Sequence, residues 1–174
     1  MITALVPPKV IVTHGVPYLL QRAGDATDTA FLLGVLSSIP LDWYARRYVE
    51  INLVFEILNA FPVPRPDKAD PLRQRVVTIA GRLAAVDSRY AEWSNEVGIP
   101  VGSIQNRHDM DDLSAELDAL VCLLYGLTRE QVHHLYATFH RGWNYHPRLS
   151  SVLTHYDQWA ARSAERRIDD YAAR

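Results

Sequence analysis

Residues 29–66, TAFLLGVLSSIPLDWYARRYVEINLVFEILNAFPVPRP, decide how this chain folds, because they hold its densest apolar and aromatic content and join two parts of different character. Phe31, Leu32, Val35, Leu36 and Ile39 recur at spacings of four, the pattern of a helix buried along one stripe. Ser38 is placed to cap a second helix with Pro40 in its first turn, where the missing N–H would have no partner in any case. On that second helix Leu41, Tyr44 and Tyr48 share one side, while Trp43, Arg46, Arg47 and Glu50 are spread over the rest, so the arginines are expected to point outward. Asn52 can cap a short apolar turn. Pro62, Pro64 and Pro66 then hold the chain extended, since each disfavours helix in the residue before it.

Upstream, Val10 to Thr13 and Tyr18 to Gln21 read as two short β-strands separated by Gly15 and Pro17. Two such strands cannot bury a face unless other strands or the helix from Thr29 cover them, so this end reads as the edge of a larger sheet, with Met1 either internal to a longer protein or a true start. Gly24, Asp25 and Asp28 form a turn and helix start. Downstream, the linker Pro66 to Pro71 offers Asp70 as an N-cap and Pro71 as the first helical residue, and a boundary is expected there between residues 1–66 and 67–174.

Beyond the boundary Leu72, Val76, Ile79, Leu83, Val86, Tyr90, Trp93 and Val97 repeat about every ~3.5 residues, which predicts one long helix with a lengthwise partner. Leu113, Leu117, Leu120, Leu124 and Leu127 repeat the rhythm and supply that partner in an antiparallel hairpin. Asp109, Asp111 and Asp112 favour its N-terminus. Gly126 suits a left-handed C-cap, and Thr128 with Gln131 forms a capping box for a third helix carrying Val132, Leu135 and Phe139. Pro147 opens a fourth, with Leu149, Val152, Tyr156 and Trp159 inward and a charged tail that frays. The expected fold is mainly α with a small β part: short strands and two helices, then a long helical hairpin and bundle.

The chain of 174 residues is 48% hydrophobic and 22% charged, ordinary values for a globular domain, and no apolar run is long enough to span a bilayer. Cys122 is the only cysteine and no basic-then-apolar leader follows Met1, so a cytoplasmic setting without disulfides is expected. A net charge of −2 argues against indiscriminate coating of nucleic acid, although it allows a local basic face. The cations are mostly arginine, with Lys9 and Lys68 the only lysines, and arginine suits paired hydrogen bonds to guanine or phosphate.

FLLGVLSSIPLDWYARR, followed by an Asn-led apolar run and PVPRP, resembles the end of the target recognition domain of adenine-specific DNA methyltransferases from restriction–modification systems. The single-chain type IIG enzymes carry the pattern, and type I specificity subunits a looser form of it. LSAELDALVCLLYGLTREQVHHLYATF and YHPRLSSVLTHYDQW resemble the helical tail of the same enzymes, so the likeness extends over nearly the whole chain. It implies that residues 1–66 are the C-terminal end of a DNA recognition domain, that 67–174 are a helical tail, and that a catalytic domain precedes them in a parent enzyme using S-adenosylmethionine. The implied partners are double-stranded DNA and that catalytic domain, in cis or in trans.

No catalytic, cofactor-binding or metal site is expected in the chain itself. Adenine methylation needs a glycine-rich turn for the methyl donor and a polar-Pro-Pro-aromatic loop for the flipped base; the nearest string, Val6-Pro7-Pro8-Lys9, has neither the polar residue nor the ring and reads as a strand terminator. Asp67 with Lys68 lies in a proline-rich turn with no acidic-X-lysine strand element beside it. His133, His134, His140, His146 and His155 share no ligand spacing on one helix face, and Cys122, inside LDALVCLLYG, reads as a core thiol. DNA contact therefore falls to the cations around the recognition-like unit: Lys9, His14, Arg22, Arg46, Arg47 and Arg65. The competing expectation is a freestanding helical module whose heptad seams engage a methyltransferase or nuclease subunit.

Overall fold

Helix α1, Ala26–Ser37, starts where Asp25 accepts the N–H groups of Thr27 and Asp28 while the Asp28 carboxylate takes the N–H of Asp25, a closed capping box. Ser38 ends α1 and begins α2, Ile39–Ala45: its fully buried hydroxyl donates to the Val35 carbonyl at 2.7 Å and accepts from the Leu41 N–H at 3.5 Å. Pro40 lies in the first turn as the sequence requires. These are the features of a computed structural model that describes residues 3–13, 17–49, 53–139 and 144–172, with side chains as far as 166.

Six further helices follow among the described residues: α3, Phe55–Asn59; α4, Pro71–Ala84; α5, Ala91–Val97; α6, Arg107–Leu124; α7, Arg129–Thr138; and α8, His146–Ala172. Helix α4 begins under Asp70, which accepts from the N–H groups of Leu72 and Arg73, and α7 begins in the Thr128–Gln131 capping box. Gly126, just past α6, has a φ of 68°, the left-handed geometry that costs glycine nothing. Helix α6 is central, with α4 and α8 packed along it, α1 laid on α4 and α2 touching α6. One apolar cluster joins Phe31, Val35 and Leu41 to Val76, Ile79, Leu117 and Leu120, so side chains from both sides of residue 66 share a core. A second gathers Ala119, Cys122, Val132, Leu135 and Val152 between α6, α7 and α8.

Three expectations are corrected. No β-strand forms among the described residues. Val10 to Thr13 and Tyr18 to Gln21 have no regular secondary structure and join no ladder, because the described chain offers no neighbouring strand to pair with, and Pro8–Lys9 is a turn with Lys9 at φ 64°. The seam from Leu72 to Val97 is not one helix: Asp87 accepts from the Arg89 N–H and starts a 3-10 turn at Ser88–Tyr90. Gly102 N–H takes the Ala85 carbonyl, and Val86, left out of the seam, is 59% exposed. Finally, α2 stops at Ala45, so Arg46 is its C-cap and Arg47 lies in the turn beyond. The apolar turn does form as α3, led by Val54 without a side-chain cap; Asn52 and Glu50 lie outside the described residues.

Candidate functional site

The cations expected to touch DNA converge only in part, and α2 organises those that do. Its start is fastened to the helical tail by Asp118 of α6, a fully buried carboxylate. One oxygen accepts the Ile39 N–H at 2.8 Å; the other accepts the Tyr136 hydroxyl at 2.7 Å and the Arg148 guanidinium at 2.6 and 2.9 Å. Arg148 also donates to the Ser114 carbonyl. A buried charge without partners would cost several kcal/mol, and here four donors satisfy it. Burial, helped by the Asp118 charge, pushes the Tyr136 phenol well above its ordinary range. Burial alone would lower Arg148, but Asp118 outweighs it and raises the guanidinium.

The other end of α2 bears the arginines. Trp43 donates its indole N–H to the Thr138 hydroxyl of α7 at 2.9 Å, and the Arg47 guanidinium carbon lies 4.4 Å from the Trp43 ring centroid. Arg46 diverges from it: its guanidinium sits 4.7 Å from the Phe139 ring centroid and donates to Asp42 at 3.3 Å. Each arginine is thus held over an aromatic face, an arrangement worth about 0.5–1 kcal/mol at an exposed site.

Arg46 and Lys9 line a groove of about 1190 Å³ between the N-terminal arm, residues 3–12 and 17–20, and the α1–α2 corner. Its floor is apolar, with Leu32, Leu33, Leu36 and Ala45. Along the arm Ile11 is 95% and Leu20 72% exposed. Arg22, ahead of the α1 cap, and Arg65, among the prolines before α4, are exposed but do not line this groove. His14 lies outside the described residues.

Other residues weighed for chemistry have structural partners. Lys68 donates to Asp25 at 2.7 Å and Asp28 at 3.1 Å; these bonds raise the ammonium above its ordinary value and hold Asp25 below its own, while Asp28 is held low first by the Asp25 backbone N–H and then by Lys68. Arg73 closes the same corner on Asp28 and over the Phe31 ring. Among the described residues no three His, Cys, Asp or Glu side chains gather as a metal site would require. His133, His134 and His146 are exposed, and His155 bonds Asp112 at 2.9 Å; His140 lies outside the described residues. Cys122 is fully buried, and burial followed by the nearby Asp118 charge raises its thiol far beyond reactivity at neutral pH.

The arginines are legible in the sequence as cations, whereas the Trp43 platform and the part Asp118 plays are not singled out there. The available signal for Asp118 was its setting, a carboxylate between Leu117 and Ala119 in a run that is otherwise core-like. Compared with protein-family models, with curated proteins and with solved structures, the chain finds no match.

Proposed function

We propose that this chain positions double-stranded DNA as the C-terminal part of a type IIG-like restriction–modification adenine methyltransferase, and that it is non-catalytic by itself. The methyltransferase domain and its S-adenosylmethionine site belong to the parent, in cis or in trans, and the setting is cytoplasmic. The observation that supports this reading is the arginine pair displayed on aromatic faces at the end of α2, with Lys9 on the same groove as Arg46. Cations held ready in this way attract phosphates and release their counterions, with little entropy left to lose on binding.

The alternative, a helical module that uses its heptad seams to hold a partner, fits less well. Val76, Ile79, Leu117 and Leu120 of those seams are already buried within the chain. A protein partner is favoured instead by the exposed apolar arm.

The test is anisotropy of a labelled duplex titrated with the full chain from about 50 to 200 mM salt. Affinity is expected to fall steeply across that range, and Arg46→Glu with Arg47→Glu to weaken it about ten-fold or more. Salt-independent binding, or unchanged affinity in the double variant, would sink the reading.

A further inference from the structure

The two arginines of the α2 end are neighbours in sequence but differ in what they have left to give. Arg46 spends one arm of its guanidinium on Asp42 and rests on Phe139. The Arg47 side chain makes no hydrogen bond or ion pair among the described residues, and its guanidinium stacks on Trp43. A cation held over a ring keeps its N–H donors, which lie at the rim of the guanidinium, unspent. The platform is itself fixed, since the Trp43 indole is tied to Thr138 and the start of α2 to Asp118. A rigidly presented, unspent arginine fork is the group that matches the O6 and N7 acceptors of guanine in the major groove. An arginine already shared with a carboxylate is suited to a phosphate, where a single charged contact suffices.

Resting on the DNA reading above, we infer that Arg47 is the residue that reads a base, a guanine edge in the major groove, and that Arg46 holds the backbone. Lysine in place of Arg47 keeps the charge and loses the planar fork, so it separates base reading from attraction to phosphate. The side chain is exposed and lies over Trp43, so the substitution is expected to leave the fold intact.

The experiment is selection by the full chain from a pool of duplexes with a randomised centre, followed by sequencing, for the natural chain, Arg47→Lys and Arg46→Lys. The natural chain is expected to enrich guanine at one fixed position about ten- to hundred-fold over other bases. Arg47→Lys is expected to flatten that preference, and Arg46→Lys to retain it at lower overall recovery. If Arg47→Lys enriches the same guanine as strongly, Arg47 only covers the Trp43 face and the inference is wrong. Recovery of duplex without any base preference also overturns it, while leaving the DNA reading standing. A natural chain that recovers no duplex removes both.

Discussion

Glu116 shows how one residue's environment sets a measurable property. It is 6% exposed on α6 and accepts a two-pronged bond from Arg75 of α4, at 2.8 and 2.5 Å, together with the Trp159 indole N–H of α8 at 2.9 Å. Burial would raise its carboxyl; the Arg75 fork and the Trp159 donor outweigh burial and hold it below the ordinary 4.5. Because the folded value is the lower one, the stabilisation is fully present above about pH 4.5 and is lost as pH falls through the folded value. Glu116→Gln should therefore lower the melting temperature at pH 7 and flatten its decline in acid. Arg75→Met should go further: it leaves burial dominant, raises the carboxyl, and makes mild acid stabilising relative to neutral pH. A melting series from pH 7 to pH 3 measures both, and an acid limb unchanged in Glu116→Gln would refute the assignment. Glu116 carries no mark of its burial in the sequence, and Asp118 only the core-like run around it. What makes a helical carboxylate an interior group is a guanidinium from another helix, and Arg75 and Arg148 stand 41 and 30 residues away.

At the scale of elements, Gly34 marks where α1 presses closest to its neighbours. A Cβ there would meet Val76 Cγ1 at 2.7 Å, with Ala80 and Leu117 at 3.2 and 3.3 Å. Val76 is fully buried, and as a β-branched side chain it has few rotamers to turn to. Gly34→Ala gains up to about 1 kcal/mol of helix propensity, but overpacking costs about 1–3 kcal/mol, so a net loss of stability is expected in urea denaturation. A gain instead would mean that α1 and α4 have slack. Elements governed by local chemistry were legible in the sequence: the Ser38 and Asp70 caps, the Thr128 capping box and the left-handed Gly126 all stand where turn chemistry puts them. Elements governed by distant partners were not. The apolar rhythm from Leu72 to Val97 looks continuous because three- and four-residue spacings carry across a break, yet Asp87 competes locally for the chain and ends the helix. The predicted strands failed for the opposite reason, since a β-type sequence specifies an extended backbone but cannot supply the neighbour that completes a ladder.

Across the whole molecule, the core ignores the composition change at residue 66. Phe31, Val35, Leu36 and Leu41 lie against Val76, Ile79, Leu117 and Leu120. Burying each such side chain is worth about 1.5–3 kcal/mol, so losing four of them removes an amount comparable with the roughly 5–15 kcal/mol that holds a domain folded. Residues 67–174 alone are therefore expected to bind a hydrophobic dye and to melt without a cooperative transition, while the full chain unfolds in one step by fluorescence and circular dichroism alike. A cooperative melt of the shorter piece would show that the two parts fold separately. The candidate DNA site was legible only as a set of cations; that Arg46 and Arg47 rest on separate aromatic rings depends on α7, whose Thr138 and Phe139 are far along the chain. The N-terminal arm has a last consequence. Exposed valine, isoleucine and leucine on unladdered backbone would ordinarily invite stacking of one molecule on the next, the route to fibres. Pro7, Pro8 and Pro17 have no N–H to offer, so a strand laid against the arm would miss a ladder bond at each of them, which works against such growth.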